Sequence, residues 1–264
     1  MNPTGWLSGL VRWRNERTLA RRAIPDALWQ LTLARFPFLA RNDAAEAQGL
    51  RELATLFLAD KEFSGAHGLE VTDEMAVAIA AQACLPVLKL GLHWYADFKG
   101  IVVHADAVVA QREHIDEAGV VHQYEETLSG EAMQGGPLML SWQDVVESGH
   151  SSVWGYNVVI HEFAHVLDMR DGVADGVPAL ADRAARERWL AVLEAEYQRF
   201  CTNLDAGLDT LLDPYGGEAI DEFFAVAAEA FFVAPDALKD EHPKVYELLA
   251  GFFDQDPVQD GAGL

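Results

Sequence analysis

Residues 158–168 read VVIHEFAHVLD, and two histidines four apart on an apolar background leave this stretch few structures to choose from. On an α-helix each residue turns about 100°, so His161 and His165 share a face one turn apart, near enough for both imidazoles to reach a single ion. Glu162 then stands about 100° round from His161, beside such an ion and outside its coordination sphere. A carboxylate there can take a proton from a zinc-held water as the water attacks a carbonyl, and pass it to the leaving amine. The neighbours Val158, Val159, Phe163, Ala164, Val166 and Leu167 are all apolar, as a helix buried behind a metal centre requires. The alternative is a core helix whose histidines bond internally, and the motif together with its flanks favours the metal.

A catalytic zinc site uses three protein ligands and leaves one position to water, so a third ligand is needed. Asp171, ten residues after His161, falls where the longer HExxHxxGxxH pattern has its last histidine, but Asp168 stands where that pattern has its chain-turning glycine. The competing source is a later segment, EAIDEFFAVAAEAFF at 218–232. Its Glu222 and Glu229 are seven apart and share a helix face, where a carboxylate is costly to bury unless it meets a metal or a partner. Glu222 is the preferred ligand. Glu229 is read as an outer partner of the centre, with a solvent-exposed glutamate as its alternative. Asp168, three after His165, either accepts the outer N–H of a ligand histidine or sits solvated at the helix end.

The surrounding pattern predicts an α+β fold in one domain over 1–264. A basic segment occupies 1–22; a helical part spans 24–98, with Pro25, Asn42–Asp43 and Thr72–Asp73 placed to open helices, the second running through Phe63; 99–254 holds a small mixed sheet and the metal-binding helices. The strand signals are GIVVH, GVVHQYE and PLMLSW, separated by turns such as EAG and QGG. Helical periodicity returns over 156–170, 181–200 and 218–232 and in HPKVYELLAGFF, and DQDPVQDGAGL reads as a frayed tail. Half the residues are apolar, enough for a sizeable core.

With 42 acidic against 19 basic side chains the net charge is −23, which argues against direct nucleic-acid binding. Residues 1–22 run the other way: Arg12, Arg14, Arg17, Arg21 and Arg22 against Glu16 give +4, leaving −27 elsewhere. That segment is read as a helix packed on the acidic body, the alternative being a surface for a membrane or partner. No transmembrane run or secretion signal is evident, and two cysteines, Cys84 and Cys201, fit a reducing compartment, so a cytoplasmic location is expected.

HEFAHVLD followed some fifty residues later by PYGGEAIDEFFAVAAEAFF resembles the Mlc titration factor A family of bacterial cytosolic zinc-dependent peptidases, whose catalytic domain is similar to that of anthrax lethal factor. The resemblance covers the whole chain and is carried mainly by those two segments. It implies a zincin-like fold, one Zn2+ per chain on His161, His165 and Glu222, Glu162 as base, and Tyr215, seven residues before Glu222, as a phenol aimed at the developing oxyanion. From the residues alone Tyr215 could equally be a loop tyrosine of PYGG. The resemblance further implies an aminopeptidase-like activity on a peptide substrate, and control of glucose-uptake genes through binding of the repressor Mlc. A latent or non-enzymatic zinc-bearing protein that sequesters a transcription regulator is the alternative. In such peptidases an edge strand pairs with extended substrate. Pro137, Leu138, Met139, Leu140 and Ser141 are the candidates here, because Pro137 favours a sheet edge or a strand start.

Overall fold

Side-chain caps open the early helices where the sequence places them. In the computed structural model, which describes residues 3–40, 43–115, 121–150 and 155–258, α1 (Pro3–Arg22) and α2 (Asp26–Arg35) precede α3 (Ala44–Asp60) and α4 (Asp73–Cys84). The EAG turn and the end of the tail lie outside these residues. Asp43 accepts from the N–H groups of Ala45 and Glu46, both at 2.8 Å, and Thr72 accepts from that of Met75 at 3.3 Å. Each cap satisfies donors that a helix start leaves without partners. α1 packs along α3. Its arginines do not pair with the acidic body, however: among the described residues the one ion pair on α1 joins Arg12 to Glu16 of the same helix, at 3.0 Å.

The strands are β1 (Glu62–Gly65), β2 (Gly100–His104), β3 (Val108–Ile115), β4 (Val121–Leu128), β5 (Gly130–Ala132) and β6 (Leu138–Ser141). β3 and β4 form a separate antiparallel hairpin, while the others make one sheet in the order β1-β2-β6-β5. β1, β2 and β6 run parallel, and β5 closes the sheet antiparallel to β6. The helix expected to run on through Phe63 therefore stops at Asp60, and Glu62 turns out to pair with Gly100.

The sheet also corrects the expectation for Pro137–Ser141. β6 is interior, with Leu138 opposite Ile101 of β2 on one side and Ala132 of β5 on the other, and Leu138 and Leu140 are buried in the core. Pro137 marks the strand start, where its missing N–H breaks no ladder bond. The edge on that side is β5.

After β6 come α5 (Trp142–His150), α6 (Val158–Asp168), α7 (Arg183–Asp205), α8 (Ile220–Val233), α9 (Pro235–Glu241) and α10 (Pro243–Phe253). Every residue of α8 from Phe223 to Val233 is buried, as its nearly continuous apolar sequence requires. α6 packs against α8 on one side and against β5, β6 and α4 on others. Away from its histidines α6 sets Phe163 among Phe57, Tyr95 and Phe98, with ring centroids 5.7, 4.9 and 5.9 Å away. The Tyr95 hydroxyl in that cluster donates to the carbonyl of Ala83 at 2.9 Å.

The beginning of the tail is held rather than frayed. Gln255 donates to the carbonyl of Leu85 at 3.0 Å, and Asp256 accepts from the Tyr246 hydroxyl at 2.6 Å. No helix among the described residues is long and apolar enough to cross a membrane.

Candidate metal centre

Asn157 fixes the start of α6. Its Oδ1 accepts from the N–H of Ile160 at 2.9 Å, and its Nδ2 donates to Gln82 Oε1 of α4 at 2.7 Å. One helical turn on, His161 and His165 emerge on the face that meets the first turn of α8, and there Glu222 joins them. Glu222 Oε2 lies 3.1 Å from His161 Nε2 and 3.3 Å from His165 Nε2, and the two Nε2 atoms are 3.2 Å apart. Ligands about 2.0–2.1 Å from a tetrahedral zinc stand roughly 3.3 Å from one another. The triangle therefore has the size that such an ion needs. Among the described residues this is the one trio of His, Cys, Asp or Glu side chains that could hold a metal.

Glu229 lies one layer further back. Its Oε1 is 2.7 Å from His161 Nδ1, and its Oε2 accepts from the N–H of Asn157. A carboxylate there accepts the Nδ1 proton and so turns the Nε2 lone pair toward the centre. Burial tends to lower the pKa of His161, but hydrogen bonds to Glu222 and Glu229 outweigh it and hold the imidazole well above its ordinary value. Glu222 is the converse: burial raises its carboxyl, and the two imidazoles pull it below the usual carboxylate range.

Glu162 is 5% exposed, and burial pushes its pKa up to about 7 against the pull of His161 and His165. Its carboxyl lies over the backbone of Gly130 on β5: a Cβ at that glycine would stand 2.5 Å from Glu162 Oε1. Tyr215 sits in the turn Pro214–Gly217, where Asp213 accepts its backbone N–H at 2.9 Å, and its hydroxyl reaches Glu222 Oε1 at 3.3 Å. A cavity of about 200 Å³ opens beside these groups, lined by Ser129, Gly130, Tyr156, Val158, Asp213 and Val226 among others. The arrangement can hold a divalent ion, present a carboxylate to water beside it, and offer a phenol to an oxyanion.

Two expectations fall elsewhere. Asp171 is exposed, accepting from the N–H of Val173 at 3.2 Å and facing Arg186 at 3.5 Å, so it is not brought to the imidazoles. Asp168 is fully buried, but its Oδ2 accepts from the N–H of Gly176 at 2.9 Å rather than from a histidine. It anchors the loop after α6, with burial raising its pKa to about 6. Asn157, Gln82 and Gly130 were not singled out from the sequence. An N-cap signal before the helix could have found Asn157; nothing local marks Gly130.

The α+β frame and this cluster are those of a metallopeptidase. The chain belongs to the family described as glucose-regulated metallo-peptidase M90, whose model matches residues 10–254. An uncharacterized protein of Synechocystis sp. is 36% identical over 248 residues, covering 93% of this chain and 90% of its own. Mlc titration factor A of Cronobacter sakazakii is 33% identical over 249 residues (93% and 91%), and that of Klebsiella pneumoniae 35% over 234 residues (88% and 87%).

Proposed function

We propose that this chain is a zinc-dependent peptidase in which His161, His165 and Glu222 hold one Zn2+ per chain and Glu162 is the general base. The observation that carries the reading is the triangle of 3.1–3.3 Å formed by the three candidate ligand atoms, with the Glu162 carboxyl buried beside it and outside it. Two imidazoles and one carboxylate suit zinc. When bound, the ion supplies Lewis-acid polarisation of a water and of the scissile carbonyl. Glu162 accepts the proton of the attacking water and delivers it to the leaving amine. Its raised pKa suits both halves of that task. Tyr215 donates to the oxygen on which negative charge develops. Glu229 holds the tautomer of His161, and Asn157 holds Glu229 in turn.

The substrate backbone is assigned to the outer side of β5, the end strand of the sheet among the described residues, rather than to β6. Strand addition there lays a peptide over Gly130 next to Glu162, and the 200 Å³ cavity receives a side chain of modest size. Aminopeptidase-like cleavage of small peptides rests on the family resemblance, as does the zincin-like description of the fold. The name of the two enterobacterial relatives supports binding of the repressor Mlc or of a comparable regulator. We read the chain as one domain that works in the cytoplasm; its two cysteines, both free, agree with that.

Cleavage of a mixed peptide library by the zinc-loaded protein, read by mass spectrometry beside Glu162→Gln, tests the proposal. Cuts made by the wild type and missing from the variant are expected, and their positions report whether trimming starts at the N-terminus. Equal products from both proteins would remove Glu162 from the mechanism. No products from either, with zinc verified, would favour a scaffold that sequesters a regulator.

A further inference from the structure

Positive charge is scarce in this chain, and much of it is gathered at one groove. Between α1, the C-terminal end of α3 and the turn Leu92–Tyr95 lies a concavity of about 740 Å³. Its floor is apolar where the half-buried Leu56 and Leu92 reach it, with the fully buried Phe57 and Tyr95 packed beneath. Its walls carry Arg14, Arg17, Arg21 and Arg22 from α1, with Lys61 and Lys99 opposite, against a single carboxylate, Asp60.

The two lysines are accounted for within the fold. Lys61 donates to the carbonyl of Phe98 at 2.7 Å and shares Asp60 with Lys99. The arginines are not. Arg14, Arg21 and Arg22 are exposed and make no ion pair among the described residues, and Arg17 has its guanidinium 5.3 Å from the centre of the exposed Trp13 ring. Arg14, Arg17 and Arg21 follow one another at three- and four-residue spacing, so they form a stripe about 10 Å long on one helix face. Like charges at that spacing destabilise a helix. Among the described residues no acid forms an ion pair with Arg14, Arg17 or Arg21, and Asp60, the carboxylate in the groove lining, pairs with Lys61 and Lys99.

We propose that the groove docks an acidic peptide segment of a partner protein, with carboxylates at helical spacing meeting Arg14, Arg17 and Arg21 and intervening apolar side chains resting on the half-buried Leu56 and Leu92. Charge complementarity and the apolar floor select this occupant over two others. A nucleic acid carries a charge roughly every 1.7 Å along its whole length, and beyond the groove it would run over the strongly acidic remainder of the surface. An anionic membrane is flat, cannot enter a concavity, and would face that same surface within a Debye length of about 8 Å. A peptide segment can confine its charges to the groove.

The test uses the full chain carrying Glu162→Gln, so that a peptide probe is not cut. Fluorescence anisotropy follows a labelled helical peptide with a stripe of Glu beside a stripe of Leu, its Gln-for-Glu counterpart, a single-stranded oligonucleotide, and phosphatidylserine vesicles. Saturable binding of the Glu peptide is expected, weakened at least tenfold by R14E/R17E/R21E and by raising the salt from roughly 0.05 to 0.5 M, with the Gln peptide at least tenfold weaker. The milder pair R14Q/R21Q, checked for an unchanged far-UV spectrum, should give an intermediate loss and serves if the triple variant misfolds. Absence of saturable binding overturns the proposal, as does equal affinity in wild type and variants. Tighter binding of the oligonucleotide or the vesicles, lost in the same variants, would assign the groove to that ligand instead.

Discussion

At Gly130 the backbone comes so close to Glu162 that no other residue fits without displacing one of them. Gly130→Ala puts a methyl group 2.5 Å from the carboxylate, and a shift of about 1 Å in a catalytic group is enough to lower turnover by about a hundredfold. The expected outcome is that loss with metal content unchanged, measured by peptide turnover alongside elemental analysis. Glu162→Gln should likewise keep the metal, and should lose between about 10² and 10⁴ in turnover. Glu229→Ala acts on the ion instead. It leaves His161 Nδ1 and the N–H of Asn157 without their acceptor, and metal affinity should fall about 10- to 100-fold in a chelator competition. The histidines and Glu162 were legible from the sequence because helical spacing alone puts them together. Gly130 and Gln82 were not, since each matters only through a residue far along the chain.

The junction of α9 and α10 carries an acid-sensitive element of its own. His242 is buried there, its Nδ1 accepting from Arg199 at 2.8 Å while Arg199 also holds Glu196 at 2.7 Å. Burial, and then the charge of Arg199, lower its pKa below the ordinary 6.5. A histidine that resists protonation in the fold takes up its proton more readily when unfolded, so its contribution is complete above about pH 6.5 and declines as the pH falls below that. Urea midpoints taken between about pH 7.5 and 5.5 should fall more steeply for the wild type than for His242→Gln. A parallel slope would show that His242 does not titrate on unfolding. Long helices such as α7 and α8 were readable from periodicity, as was β2 from its apolar run. β1 and β5 have four and three residues, too few for alternation to show, and β5 is the reason β6 is not an edge. Strand order is set by pairing across the chain, which no local pattern encodes.

For the molecule as a whole, the proposed metal, shared by α6 and α8, would act as a crosslink through the core. A ligand that binds only the folded state stabilises it by about 2.7 kcal/mol at a hundredfold excess over its Kd. Chelation should therefore lower Tm, and added zinc should restore it; His161→Ala/His165→Ala should show neither response in calorimetry. The centre also has an order of arrival. Glu222 follows His165 by 57 residues and His161 by 61, so during synthesis the motif helix leaves the ribosome well before the side chain that completes the trio. A nascent or prematurely stopped chain carries Glu162 and the two imidazoles but not the carboxylate that joins them. If the proposed function holds, competence to cut peptides would come only once α8 has been made and has docked into the core, which would keep an unfinished protease harmless to the chains emerging around it.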